Sequence, residues 1–298
     1  MSEKNILQNL GWMASLTRKY GVPRGFDRVI DRLVPPGSRL GSQDVTFGLD
    51  DGLRVKADLD SYLDRRLYWH GYYSNKYIEQ FVEDVAREGN VAIDCGANIG
   101  IYALRLSRSV GSAGKVIAIE PHDPVRRRLE ANVLLNGFQD RVAVMSCALS
   151  GNRGKTVFHY PPPGDANQGN ASLYGKGSDW LEKEVETRTL DDIADEHDLS
   201  RLDIIRCDVQ GAEFDALRGG KKMIRMHKPI ISIRCNQELL SAANMKISEL
   251  VAYLHGLGYE AYIHVRKKLV RYAESMPLKD AEFLFLYDAG RYGEFRSA

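Results

Sequence analysis

The chain is 298 residues long, enough for one large α/β domain with an added element or for two small domains. Hydrophobic residues make up 44% and charged residues 27%, the balance of an ordinary globular protein. A net charge of +1 gives no bulk electrostatic reason to expect nucleic acid or an anionic membrane as partner.

In chain order, residues 1–20 place Ile6, Leu10 and Met13 at helical spacing between charges. The stretch lacks the unbroken apolar run of a secretion signal, so it reads as a short amphipathic helix of a cytoplasmic protein, packed on its own domain or on a partner. A homo-oligomer is left open. No apolar run reaches the roughly 18 to 20 residues that a membrane span needs. Val45-Thr46-Phe47 and Leu53-Arg54-Val55 alternate around Asp50-Asp51-Gly52, a β-hairpin signal. The aromatic stretch Tyr68, Trp69, Tyr72, Tyr73 and Tyr77 follows and is read mainly as packing. It runs into a helix with Ile78, Phe81, Val82 and Val85 on one face. Residues 1–90 therefore form an accessory segment ahead of a domain spanning residues 91–298.

From Val91 strands alternate with helices. Strands are expected at Val91 to Ile93, Lys115 to Ile119, Arg141 to Ser146, Leu202 to Cys207 and Pro229 to Ile233. Helices are expected at Ile99 to Val110, Pro124 to Leu135 and Ile247 to Leu257, and Ala212 to Arg225 is expected to be largely helical. Tyr259 to Val265 and Glu282 to Tyr287 are expected to close the sheet as an antiparallel pair. This pattern predicts an α/β, Rossmann-like fold: a mainly parallel sheet with helices on both faces and a ligand crevice at the carboxyl ends of the strands. Ser150 to Glu184, with Pro161-Pro162-Pro163-Gly164, is expected to be a long loop reaching over that crevice. The basic clusters at Arg126 to Arg128 and Arg266 to Lys268 are read as solvated surface. Cys95, Cys147, Cys207 and Cys235 form no CxxC pair. They read as small buried residues in a reducing compartment, with no metal site.

The first strand runs into Asp94-Cys95-Gly96-Ala97-Asn98-Ile99-Gly100. Gly96 permits a sharp turn, and Gly100 is expected to bring the helix close to sheet and ligand. Asp94 decides between ligands. A carboxylate there repels a pyrophosphate but attracts the ammonium of an amino-acid ligand, and S-adenosylmethionine has that ammonium and no phosphate. Glu120-Pro121 ends the second strand, where an acid can take both ribose hydroxyls. Cys147 and Ala148, at the end of the third strand, are positioned to read an adenine edge.

The run from Val91 to Tyr102 resembles the opening motif of the FkbM-type methyltransferases. The resemblance continues through Val116 to Pro121, Asn132 to Asn136, Asn170 to Leu173, Thr189 to Asp192, Asp203 to Glu213 and Lys228-Pro229. It implies S-adenosylmethionine-dependent O-methylation of a hydroxyl on a sugar, glycan or other small metabolite. The cofactor-binding candidates are Asp94, Gly96, Asn98, Gly100, Glu120, Pro121, Cys147 and Ala148.

Methyl transfer from a sulfonium asks the protein to align donor and acceptor and to help an alcohol lose its proton. Asp208 and Glu213 are the catalytic candidates; the plainer alternative is that both cap the helix beginning near Ala212. Asn170 and Ser172, in the long loop, are candidates for substrate contact. The resemblance has three departures: Gln210 stands where the family usually has glutamate, and Arg234 where a glutamate usually ends the following strand. Arg206 stands where lysine is common. The expectation is an electropositive crevice and an anionic acceptor gripped by Arg234, the alternative being that Arg234 pairs with Glu213 or Glu238. His70, His122 and His159 rank below Asp208 as bases. A cofactor-binding scaffold without turnover and an NAD-dependent oxidoreductase are the competing readings. Asp94 and the Gly-x-x-x-Gly spacing disfavour the second.

Overall fold

The computed structural model describes residues 11–22, 25–33, 44–73, 76–175, 177–265, 268–273, 275–276 and 280–290. Ile6, Leu10 and the Arg266-Lys267 pair lie outside them. Two helices, α1 (Gly11–Tyr20) and α2 (Phe26–Leu33), precede the hairpin β1 (Asp44–Gly48) and β2 (Arg54–Asp58). Gly52, with φ 86°, turns the hairpin. Helix α3 (Tyr62–His70) starts at Ser61, whose hydroxyl accepts the Asp64 amide, and ends at Gly71 with φ 81°. Ala14 of α1 is buried with Leu59, Tyr68 and Trp69, so much of the aromatic stretch is packing. Helix α4 (Lys76–Val85) buries Ile78, Phe81, Val82 and Val85, the face read from their spacing.

The α/β alternation follows: β3 (Val91–Cys95), α5 (Ile101–Ser109), β4 (Lys115–Ile119), α6 (Asp123–Leu135), β5 (Val142–Met145), β6 (Ala148–Leu149), β7 (Gly154–Tyr160), β8 (Leu181–Arg188) and α7 (Leu190–Glu196). Then come β9 (Ile204–Cys207), α8 (Glu213–Arg218), α9 (Lys221–His227), β10 (Ile230–Asn236), α10 (Gln237–Ala242), α11 (Ile247–His255), β11 (Glu260–Val265), β12 (Lys268–Arg271) and β13 (Asp280–Leu286). The main sheet has the order β12-β11-β13-β10-β9-β3-β4-β5. From β10 to β5 neighbours are parallel, whereas β13, β11 and β12 each pair antiparallel. This is the mainly parallel sheet with a closing antiparallel pair, extended by β12. Alternate residues feed two cores: Ala92, Val116 and Ala118 on one face, Ile93, Ile117, Ile205 and all four cysteines on the other.

Two stretches carry detail that the sequence pattern did not show. The stretch Ala212 to Arg225 is largely helical as expected, in two pieces, α8 and α9, separated at Gly219-Gly220, where a Cβ on Gly219 would lie 2.4 Å from the Ser150 carbonyl oxygen. The described residues of 161–180 form the expected long loop, but the strands that flank it, β7 and β8, are an addition; they pair and with β6 make a second sheet of order β6-β8-β7. Its hydrophobic signal is thin because one face is solvated and the other covers only Ala148, Phe158 and Val185.

The accessory segment is fastened side chain to backbone. Asn132 accepts the Lys56 amide at 2.6 Å and donates to the Lys56 carbonyl at 3.1 Å, and Asn136 does the same with Arg54 at 2.9 and 2.7 Å. The two asparagines of α6 thus pair with β2 as a neighbouring strand would. Arg105 of α5 meets Glu79 of α4 at 2.7 Å and Asp51 at 3.2 Å. Among the described residues no helix is long and apolar enough to cross a membrane.

Candidate active site

The sheet order reverses between β3 and β9, so the carboxyl ends of these strands diverge into a crevice. Asp94 in β3 and Asp208, just after β9, are carried to its edge. The β3–α5 loop bends through three left-handed residues, Gly96 (φ 76°), Asn98 (φ 51°) and Gly100 (φ 95°). A Cβ on Gly96 would sit 2.2 Å from the Asp208 carbonyl oxygen, so glycine is required where the two loops touch. Gly100 differs from its expected role. It does not line the crevice, and its missing Cβ admits Leu129 of α6, whose Cδ1 would be 2.4 Å away.

Glu120 braces this loop from the next strand. Its Oε2 accepts the Asn98 amide at 3.0 Å and its Oε1 accepts the His122 amide at 2.9 Å. Each carboxylate oxygen has a second lone pair, so the same group can still receive ligand hydroxyls. Asp94 is 1% exposed, and its Oδ2 has no hydrogen-bond partner among the described residues. Burial pushes both carboxyls up to about 7, against the opposing pull of Arg206 on Asp94 and of the His122 and Asn98 amides on Glu120. A cleft runs past both acids. Pro121, Cys147 and Ala148 line it as expected, with Ile119, Val125 and Phe158 adding apolar surface. His122 is buried rather than exposed, and burial lowers its pKa to about 4, so the ring is neutral. It lies 4.8 Å from the Tyr160 ring.

A second, more open cleft adjoins the first and shares Leu63, Asp208, Gln210 and Arg234 with it. Asp208 stands at this seam and is held from both sides. Arg206 donates to Oδ2 at 3.1 Å and Gln210 Nε2 donates to Oδ1 at 2.9 Å. Gln210 makes this bond from a left-handed backbone, φ 52°. Its carbonyl accepts the Ser172 hydroxyl, which also accepts the Tyr174 and Gly175 amides. Ser172 is 1% exposed and lines neither cleft, so it fastens the loop rather than meeting substrate, whereas Asn170 lines the second cleft. Glu213 is 1% exposed and accepts the Val209 amide at 3.2 Å and the Gly211 amide at 3.0 Å. It shapes the loop carrying Asp208, and burial raises its pKa to about 7.

The expected electropositive crevice is not what the side chains make. Arg206, 2% exposed, faces Asp208 and Glu282 and lies 4.4 Å from the centre of the Tyr102 ring. Arg234 pairs with Asp280 at 3.6 Å, not with Glu213 or Glu238. Glu282 of β13 is the strand neighbour of Arg234, so a carboxylate returns beside the position where Arg234 replaced one. Of the remaining histidines, His70 lines neither of these clefts, nor does His159, which pairs with Glu182 at 3.4 Å.

Several cleft residues escaped the sequence reading. Leu63 and Tyr73 come from the accessory segment, Tyr102 from the first turn of α5 and Phe158 from the unforeseen strand β7. Tyr73 belonged to a stretch assigned to packing. Tyr102 carried a signal, since it stands two residues after Gly100 at the start of the helix; in the fold it donates its hydroxyl to Glu79 at 2.8 Å.

Comparison with known proteins matches residues 94–261, more than half of the chain, to the methyltransferase FkbM domain. The chain is similar to 2-O-methyltransferase NoeI of Sinorhizobium fredii, 31% identical over 179 residues that cover 56% of this chain and 72% of that one. It is also similar to AMB antimetabolite synthetase AmbE of Pseudomonas aeruginosa, 33% identical over 183 residues, 48% of this chain; the match spans only 8% of that protein. A crystal structure of methyltransferase FkbM from Methylobacillus flagellatus KT aligns over 74% of this chain and 50% of that one, with 20% identity and a TM-score of 0.46. The chain belongs to the methyltransferase FkbM family and has a Rossmann-like α/β fold.

Proposed function

We propose that the protein is an S-adenosylmethionine-dependent O-methyltransferase whose acceptor is a hydroxyl of a sugar or other small metabolite. The observation that carries the reading is Asp94: a buried carboxylate oxygen without a hydrogen-bond partner among the described residues, at the strand switch point, on the wall of a cleft. An unpaired buried anion is costly unless something cationic meets it. The ammonium of an amino-acid nucleoside does so, and a pyrophosphate would make the cost worse. Glu120 offers its remaining lone pairs to vicinal ribose hydroxyls. Neutral His122 beside Tyr160 and Phe158, with the Cys147-Ala148 backbone, suits an uncharged purine. S-adenosylmethionine, when bound, supplies a methyl group already activated for displacement.

The chain's own work is then positioning and proton handling. Asp208 lies where the two clefts meet and is oriented by Arg206 and Gln210, which fits a group that accepts the acceptor hydroxyl's proton. The O-methyl assignment also draws on NoeI, which is described as a 2-O-methyltransferase and is 31% identical. Calorimetry with S-adenosylhomocysteine and NAD, followed by transfer of labelled methyl to hydroxyl acceptors, tests the reading. Binding of S-adenosylhomocysteine with labelled product is expected. Binding of NAD alone would overturn it, and cofactor binding with no transfer to any acceptor would favour a scaffold.

A further inference from the structure

The second cleft has a composition of its own. One stretch, between Ser172 and β8, supplies two aromatic side chains to it, Tyr174 and Trp180. Both are fixed. The Tyr174 hydroxyl donates to Asp215 at 2.6 Å. The Trp180 indole lies against the Gly177 backbone so closely that a Cβ there would be 2.5 Å from Nε1. The stretch is tied to the Asp208 loop by the bond from Ser172 to the Gln210 carbonyl. A ring resting on these aromatics is thereby held at a set distance from the seam.

Charge and polarity narrow the occupant further. Among the described residues lining this cleft, Arg234 is the one cation, and it carries Asp280. Asp208, Glu213 and Glu238 are carboxyls on the same wall. An acceptor bearing a carboxylate or phosphate would bring a like charge towards Asp208 and Glu238, with the lining cation, Arg234, already facing Asp280. Amide side chains of Asn170, Gln210 and Asn236 provide neutral donors and acceptors.

We infer that this second cleft is the acceptor site and takes an uncharged hydroxylated ring, with Trp180 as the platform that sets specificity. The inference rests on the methyltransferase reading of the neighbouring cleft, and it replaces the anionic acceptor expected from Arg234. The shared chemistry is a flat apolar face with hydroxyls at its edge, met by both a pyranoside and a catechol. Only the polar edge is then read by the amides and by Asp208.

The test uses the full chain saturated with S-adenosylhomocysteine, whose own binding is measured first; failure at that step would overturn the function reading and not the cleft's chemistry. Methyl pyranosides and catechol are then titrated by ligand-observed NMR, each beside its carboxylated counterpart, a methyl uronoside or protocatechuate. The expected result is binding of at least one neutral ring, at least about tenfold tighter than its carboxylated partner. Which ring binds tells a saccharide acceptor from a phenolic one. Trp180→Ala should weaken that binding by about tenfold or more, the scale of one lost aromatic contact with its buried area. Trp180→Phe should keep most of it, and S-adenosylhomocysteine affinity should not change in either variant. Absence of binding by every neutral ring, tighter binding of a carboxylated ring, or indifference to Trp180→Ala would overturn the inference.

Discussion

Replacing Asp94 by asparagine keeps the shape of the side chain and removes its charge, and two opposite consequences follow. Without ligand, burial raises the Asp94 carboxyl from the ordinary 3.8 to about 7. At 1.36 kcal/mol per pH unit, that is about 4 kcal/mol held against the ionised form. Because the folded-state pKa lies above the unfolded one, this group's stabilising contribution is complete below about pH 4 and is lost as pH rises through about 7. Asparagine resembles the protonated form, so Asp94→Asn should raise the ligand-free Tm at pH 8 by several degrees. With ligand the sign reverses. Loss of a charge-assisted hydrogen bond to the ligand ammonium, about 1.5–3 kcal/mol, should weaken S-adenosylhomocysteine binding by about 10- to 150-fold. Wild-type affinity should also improve as pH rises to about 7, with protons released on binding, and the variant should lose part of that release. Scanning fluorimetry at pH 8 and calorimetry between pH 6 and 8 give both numbers. An unchanged Tm together with affinity within twofold of wild type would refute the reasoning.

Gly96→Ala combines a left-handed backbone with a Cβ 2.2 Å from the Asp208 carbonyl oxygen. It should cost more than about 2 kcal/mol in denaturant unfolding and abolish cofactor binding, and native-like behaviour would contradict the loop contact. Ser172→Ala leaves the Gln210 carbonyl and the Tyr174 and Gly175 amides without their shared partner. It should cost about 1–3 kcal/mol while leaving S-adenosylhomocysteine affinity within threefold, measured by unfolding and calorimetry. The four cysteines are buried, and burial pushes the Cys147 thiol up to about 12. A thiol reagent should therefore find none in the native protein and four in guanidinium; fast native labelling would contradict the packing.

The main sheet could be read in advance because its strands are short apolar runs punctuated by glycine, and each run maps onto one strand from Val91 to Phe285. Asp94, Glu120 and Asp208 were legible for the same reason: acids at strand ends in such an alternation have few other places to go. The β7–β8 hairpin was not, since Glu182, Lys183, Glu184 and Glu186 face solvent and leave no apolar alternation. Ser172 and Glu213 were given chemical roles because sequence shows residue type but not direction. In the fold both turn towards backbone amides of neighbouring loops. The balancing of Arg206 by Glu282 was hidden because those residues lie far apart in the chain and meet only through the antiparallel closure of the sheet. Leu63 reaches the cleft in the same long-range way, packed so closely that a Cβ on Gly169 would lie 2.3 Å from it.

The most direct test of the central claim is a crystal structure with S-adenosylhomocysteine bound. The account predicts its ammonium on Asp94 Oδ2, its ribose hydroxyls on Glu120, its purine beside His122, and its sulfur facing the seam at Asp208. A ligand with its amino group away from Asp94, or one bound outside the cleft between β3 and β9, would contradict it.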